Sequence, residues 1–160
     1  MSMETTKTKT SHANPIEVVT LTMHTNQTLS NNLGKIEGSK NAIQFFKGML
    51  ANKDQEVFAL LCINSKGTVT HYSEVHCGSI NTSVVHPREV FKRAMLSNAS
   101  SIIIGHNHPS GDTTPSKSDL KITGTLVESG NILDIHVLDH IIVSETGGQS
   151  LRETHGGHFE

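Results

Sequence analysis

One continuous apolar run constrains the fold of this 160-residue chain more than any other feature. The run EVFALLCI, residues 56–63, has no polar side chain after its first residue. A strand that is apolar on both faces must be covered on both faces, as the central strands of layered sheets are. The turn at residues 65–67 follows, and residues 68–75 then fit a second strand, so the two segments predict a hairpin. Hairpin strands are antiparallel, and the sheet is therefore not purely parallel.

Three segments show the apolar spacing of helices that bury one face. The first covers residues 39–51, with Ser39 as its expected cap. The second begins at Pro87, because proline is favoured at the first helical position. The third is expected to have Thr114 as its cap and to end at Gly130, a residue type common just after the last turn.

The remaining strand patterns complete the predicted fold class. Further strands are expected over residues 16–23, 101–106 and 132–143. Alternating strands and helices predict an α/β (α+β) domain with a mixed central sheet flanked by helices. We expect one domain over residues 15–145, between a mobile N-terminal arm, residues 1–14, and a flexible C-terminal tail, residues 146–160.

Composition excludes several classes of protein. A formal net charge of -2 with 18% charged residues does not suggest a protein that binds nucleic acid by charge alone. The sequence shows no apolar run of membrane-spanning length and no apolar signal core. Cys62 and Cys77 are too few for a disulfide framework, and each is interpreted as a reduced, buried small side chain rather than a catalytic thiol. These features predict a cytoplasmic protein without membrane partners.

Two pairs of polar residues occur where a predicted strand ends and a predicted helix begins. His106 and His108 are two positions apart at the end of a strand, so both imidazoles share one face. Ser116 and Asp119 are three positions apart in the first turn of a helix, which also places them on one face. The loop between the pairs returns the helix start towards the strand end. Two nitrogens and one carboxylate oxygen can then converge on one point.

Ligands of this kind suit a catalytic zinc ion. His106, His108 and Asp119 would bind Zn²⁺ and leave a fourth tetrahedral position for water. Zinc lowers the pKa of bound water to about 7, and a general base must still take the proton. The Ser116 hydroxyl could stabilise the oxyanion of a tetrahedral intermediate.

Each pair also has a purely structural explanation. With eleven histidines in this chain, nearly one H-x-H pair is expected by chance alone. Ser116-x-x-Asp119 resembles a helix capping box, which needs no metal. Pro115 argues against that explanation, because it places Thr114 rather than Ser116 at the cap. Together, the two pairs and their Pro/Gly-rich loop favour a metal site.

The spacing of these residues resembles the JAMM signature of the JAB/MPN metalloprotease family. The longer stretch HNHPSGDTTPSKSD, with HPREVFKRAM before it and LDHIIV after it, resembles the RadC-like branch of that family. The resemblance covers residues 54–143. It implies a cytidine-deaminase-like architecture and a zinc-dependent hydrolase that cleaves an amide bond of a peptide or protein with zinc-activated water.

The family pattern also contains a glutamate on a strand after the first helix. Glu56 takes that place, so the resemblance gives it the role of general acid and base. A lone carboxylate at the start of an apolar strand is costly to bury without a partner, which favours a functional role for Glu56. The open alternative is that Glu56 is simply an exposed residue at the end of the strand. Glu89 is the competing carboxylate, and its place in the first turn of a helix already explains it through the helix dipole.

Four further polar residues have two open interpretations each. His86 and Arg88 either line a substrate groove or lie on the surface. His136 and His140 either contact a metal ligand or are hydrogen-bonded strand histidines with a structural role.

Other metal enzymes fit less well. Zinc deaminases need H-x-E with P-C-x-x-C, and thermolysin-like proteases need H-E-x-x-H, which are both absent from the sequence. Barrel amidohydrolases need a longer chain. The alternative from another class is a DNA-repair-associated RadC-like accessory or interaction module with a structural or vestigial metal. Longer RadC-like proteins carry an N-terminal helix-hairpin-helix element, and the residues before Ser39 show no such pattern, so we predict no direct binding of duplex DNA.

Overall fold

The structure is a computed structural model that describes residues 16–20, 22–29, 34–80 and 85–159. Within these residues, five strands form one sheet with helices on both faces, which confirms the predicted mixed α/β class. The elements in chain order are α1 (Ser39–Leu50), β1 (Val57–Ile63), β2 (Val69–Cys77), α2 (Pro87–Leu96), β3 (Ser101–Asn107), α3 (Lys117–Leu133), β4 (His136–Val143), β5 (Gly148–Ser150), α4 (Leu151–Thr154) and a 3₁₀ turn (Gly156–His158).

The sheet has the strand order β2-β1-β3-β4-β5. Strand β1 runs antiparallel to β2 and β3, whereas β3 and β4 are parallel. The predicted hairpin is confirmed: Gly67 adopts φ 75°, and its N–H donates to the Asn64 carbonyl at 2.9 Å. A left-handed residue at this position favours glycine. All seven residues of β1 are buried, as the apolar run predicted.

Two apolar cores lie on opposite faces of the sheet. One core packs α2 and α3 against the sheet around Phe58, Phe91, Ile104 and Leu126. The other packs α1 against the opposite face, and Phe46 is its largest fully buried side chain. Phe46 lies so close to β3 that a Cβ atom at Gly105 would be 2.6 Å from its ring. Glycine at this position therefore lets α1 approach the strand that carries His106.

The antiparallel pairing of β1 with β3 determines which residues meet at one edge of the sheet. Phe58 pairs with His106, so the start of β1 lies beside the end of β3. Glu56 immediately precedes β1 and is brought to the same edge. The first turn of α3 follows the loop that leaves β3, and it carries Asp119.

The predicted limits of the third helix are wrong at both ends. Ser116 rather than Thr114 is the N-cap, and the helix continues through Gly130 to Leu133. Gly130 is buried, and a Cβ there would lie 2.5 Å from the Ile135 carbonyl oxygen. This glycine therefore lets the chain after the helix pack closely against it, and the left-handed Asp134, at φ 55°, ends the helix. The following strand consequently begins at His136 and not at residue 132.

Two predictions about the chain's outer segments are also wrong. Residues 16–20 and 22–23 form no strand, so the short strand expected over residues 16–23 is absent from its described part. The tail predicted to be flexible, residues 146–160, contains regular structure in its described part, because β5 pairs with β4 and Leu151 is fully buried. An edge strand needs only backbone groups to pair, which is why polar sequence concealed it. The predicted arm, residues 1–14, lies outside the described residues.

None of the helices in the described residues combines the length and the apolar character required to cross a bilayer.

Candidate metal centre

Three side chains predicted as metal ligands meet at the end of β3. The Nε2 atoms of His106 and His108 are 3.0 Å apart. Asp119 Oδ1 lies 3.4 Å from His106 Nε2, and Asp119 Oδ2 lies 3.5 Å from His108 Nε2. His106 and Asp119 are buried, and His108 is half-buried. The structure therefore brings together the residues that the two sequence pairs predicted.

The spacing and chemistry of these atoms fit a metal ion. Zinc–nitrogen bonds of about 2.0–2.1 Å in a tetrahedral site separate neighbouring ligand atoms by about 3.3 Å. The Nδ1–H of His108 donates to the Asp112 carbonyl at 2.7 Å, so a neutral His108 directs its Nε2 lone pair at the cluster. Lone pairs on both Nε2 atoms, 3.0 Å apart, repel each other unless a proton or a metal ion lies between them. His106, His108 and Asp119 could thus hold a metal ion, and two nitrogens with one oxygen form a set that zinc uses.

Ser116 and Asp119 form a capping box, contrary to the prediction from Pro115. The Ser116 N–H donates to Asp119 Oδ2 at 2.7 Å, and the Asp119 N–H donates to Ser116 Oγ at 3.1 Å. Pro115 lies before the N-cap and not at the first helical position, so it does not place Thr114 at the cap. The capping box and the metal centre are compatible, since the same carboxylate caps α3 and faces both histidines. Ser116 is exposed, and its hydroxyl hydrogen is free to donate to another acceptor.

The environment sets the charges of these ligands. Burial lowers the pKa of His106 to about 4, against the opposing charge of Asp119. Burial raises the pKa of Asp119, but hydrogen bonds from His108 and Ser116 and the charge of His106 hold it well below its usual range. The hydrogen bond with Asp119 raises the pKa of His108. At neutral pH, His106 is therefore neutral and Asp119 is ionised, which are the states that bind metal ions.

Glu56 lies beside the cluster but is not one of its three close members. It is half-buried, and its Oε2 accepts a hydrogen bond from the Ile80 N–H at 2.9 Å. Its charge makes a minor contribution to the raised pKa of His108, after the larger effect of Asp119. Glu56 therefore has a defined side-chain partner and is not a freely exposed strand-end residue.

Asn107, between the two histidines, points away from them and fixes the backbone around Glu56. Its Oδ1 accepts from the Val57 N–H at 2.7 Å, and its Nδ2 donates to the Gln55 carbonyl at 3.0 Å. Asn107 is fully buried. Sequence reasoning missed this role, although a polar residue opposite two ligands at the end of a buried strand was an available signal.

His140 lies behind His106, on the side away from the cluster. This position decides whether His140 contacts a predicted metal ligand. Its Nε2 is 2.8 Å from His106 Nδ1, and its Nδ1 is 2.6 Å from Thr123 Oγ1. His140 thus contacts a predicted ligand, whereas His136 is exposed near Asp134 at 3.8 Å, away from the cluster. Sequence reasoning also missed Thr123, and nothing in its sequence position indicated the contact.

The remaining candidates have structural explanations. His86 caps α2, because its Nδ1 accepts from the Arg88 N–H at 3.1 Å. Glu89 accepts hydrogen bonds from Lys92 and Arg93 on the same helix.

Of the two cysteines, Cys62 is buried as predicted. Cys77 is exposed, so its interpretation as a buried side chain is wrong.

The mixed sheet places the two histidines at the end of β3 beside an aspartate on α3. This arrangement defines the protein's class as that of a JAB-type domain. The profile of the RadC-like JAB domain family matches residues 36–156 of this chain. The chain therefore belongs to the RadC-like JAB domain family.

Curated relatives agree with this assignment. A UPF0758 protein from Clostridium beijerinckii is 46% identical over 123 residues, which are 77% of this chain and 54% of that protein. A UPF0758 protein from Chlorobium phaeovibrioides is 40% identical over 119 residues, 74% of this chain and 53% of its own length. One from Bacillus cereus is 54% identical over 99 residues, 62% of this chain and 44% of its own. The chain spans about half the length of these relatives.

Proposed function

We propose that this domain is a zinc-dependent hydrolase of the metallopeptidase or isopeptidase type, which cleaves an amide bond in a peptide or protein. One observation carries the proposal: among the described residues, the group of convergent metal-ligand atoms has three members, from His106, His108 and Asp119, and no fourth His, Cys, Asp or Glu joins it. Structural zinc sites are usually closed by four protein ligands, whereas catalytic sites keep a position open. The same observation disfavours a purely structural metal.

The metal would supply a Lewis acid and a water molecule with a pKa of about 7. The chain's own residues would then divide the remaining work. Glu56 takes the water proton and returns it to the leaving amine, and the Ile80 N–H together with the Asn107 bonds holds it in place. The exposed Ser116 hydroxyl donates to the substrate carbonyl oxygen as negative charge develops there.

The substrate class follows from charge and from the chemistry of the site. A formal net charge of -2 does not favour binding of duplex DNA by charge alone, and the residues of the site fit amide hydrolysis. We therefore propose a peptide or protein substrate.

The unpaired thiols of Cys62 and Cys77 support a reducing compartment such as the cytoplasm.

The test is hydrolysis by zinc-loaded protein against a library of fluorogenic peptides and isopeptide-linked conjugates. Glu56→Gln keeps the side-chain size and all three metal ligands, so it should bind zinc as the parent does while hydrolysis falls by about 10²–10⁴. Equal hydrolysis by parent and Glu56→Gln would overturn the proposed role of Glu56. A zinc-loaded parent that cleaves no amide across the library would overturn the peptidase proposal.

A further inference from the structure

We infer that Thr123 and His140 are positioning residues of the metal centre, which fix His106 with its Nε2 lone pair directed at the ion. The inference rests on the proposed metal site, but not on which bond the domain cleaves. It concerns a buried chain of hydrogen bonds behind His106 that the hydrolytic chemistry itself does not use.

The chain of hydrogen bonds begins at the backbone carbonyl of Asp119 and ends at the ring of His106. The Thr123 hydroxyl donates to the Asp119 carbonyl at 2.6 Å, and Thr123 Oγ1 lies 2.6 Å from His140 Nδ1. His140 Nε2 lies 2.8 Å from His106 Nδ1. Thr123, His140 and His106 are fully buried, and Asp119 is nearly so. Helix α3 and strand β3, which carry these two ligands, are thus connected through β4.

The direction of every hydrogen bond in this chain follows from the carbonyl at its start. A carbonyl oxygen only accepts, so the single hydroxyl proton of Thr123 is committed to Asp119. Thr123 Oγ1 must then accept from the Nδ1–H of His140. A neutral His140 has a lone pair on Nε2, which accepts from the Nδ1–H of His106. His106 is left with its lone pair on Nε2, the atom that faces His108 and Asp119.

Packing holds the two rings in the planes that these bonds need. The Phe58 ring stacks on His106, with centroids 6.2 Å apart and planes at 14°. The same ring meets the edge of His140 at 5.6 Å and 67°. Removing the hydroxyl of Thr123 should therefore free the choice of tautomer without emptying the space around the rings.

The test compares zinc affinity in three proteins. Thr123→Val keeps the side-chain shape but removes the hydroxyl, and Thr123→Ser restores it. Chelator competition should show zinc bound about 10–100-fold more weakly by Thr123→Val, the range typical of lost partners of metal-bound histidines. Thr123→Ser should bind zinc as the parent does. Thermal unfolding of the metal-free proteins verifies that both variants are folded.

A second readout needs no metal. Nitrogen-15 histidine spectra of the metal-free parent should show His106 protonated at Nδ1, and Thr123→Val should show a mixture of tautomers. Equal zinc affinity in the parent and Thr123→Val, or a parent His106 protonated at Nε2, would overturn the inference. If the parent bound no zinc, the proposed function would fail, while the tautomer spectra would still decide the role of Thr123.

Discussion

The backbone N–H of Val57 donates a hydrogen bond to the side-chain oxygen of Asn107 across 2.7 Å. Regular pairing of β1 with β3 extends as far as Phe58 and His106, and the Asn107 side chain continues the connection where the backbones separate. Asn107 also bonds to the Gln55 carbonyl at 3.0 Å, so it contacts the chain on both sides of Glu56. The tripeptide His106-Asn107-His108 therefore provides two predicted ligands and fixes the proposed general base.

Asn107→Ala should destabilise the domain by about 1–3 kcal/mol, because the variant leaves the N–H of the buried Val57 without its partner and removes the bond to the Gln55 carbonyl. Urea denaturation of the metal-free protein measures this loss. Asn131, exposed on α3, offers a matched control, and Asn131→Ala should stay within about 0.5 kcal/mol of the parent. A loss at Asn107 no larger than at Asn131 would contradict the account.

Two substitutions at Ser116 should separate its capping role from its proposed contact with substrate. Ser116→Ala should lower the free energy of unfolding by about 1 kcal/mol, whereas Ser116→Gly should cost only a few tenths, because glycine is tolerated at helix N-caps. Both variants lack the hydroxyl, so both should lose hydrolysis by a similar factor of about 10²–10³. If Ser116→Gly hydrolyses substrate at the parent rate, Ser116 acts only as a cap.

The metal-free protein should lose stability as the pH falls below 7. Burial lowers the pKa of folded His106 to about 4, against 6.5 as the ordinary value. The unfolded chain therefore binds a proton between these values that the folded chain does not, so stability falls as pH falls through this window. Between pH 7 and pH 5 this residue should cost about 2 kcal/mol.

The comparison for this pH effect is His106→Gln, which removes the titrating ring. Urea denaturation at each pH should show that the parent loses about 2 kcal/mol more stability than the variant between pH 7 and pH 5. His140 and His108 titrate in both proteins but contact the ring that is removed, so the difference between the two proteins reports His106 together with its coupling to these neighbours. Parallel pH profiles for the two proteins would refute the lowered pKa.

The two thiols should differ sharply in reactivity. Cys62 is buried within β1, and burial raises the pKa of its thiol, whereas Cys77 is exposed at the end of β2. Ellman's reagent should therefore modify one thiol rapidly in the native protein and both after denaturation. Cys77→Ser should abolish the rapid phase. A rapid phase that persists in this variant would show that β1 is not packed as described.

The sequence predicted the features that depend on local patterns. The continuous apolar run predicted the central strand β1, and the spacing of His106, His108 and Asp119 predicted their convergence. The contact of Thr123 with His140 could not be predicted, because it depends on how α3 packs against β4. Gly130 was misread for a similar reason: its lack of a side chain permits a close approach to Ile135, and only the folded structure shows that need.

The central claim is that His106, His108 and Asp119 hold zinc. Mass spectrometry of protein purified without chelator or nickel, beside His108→Ala and Asp119→Ala, tests it most directly. The parent should hold about one zinc per chain, as a single site of this type requires, and both variants should lose that zinc. A parent that holds no zinc after loading and dialysis, or variants that keep it, would contradict the account.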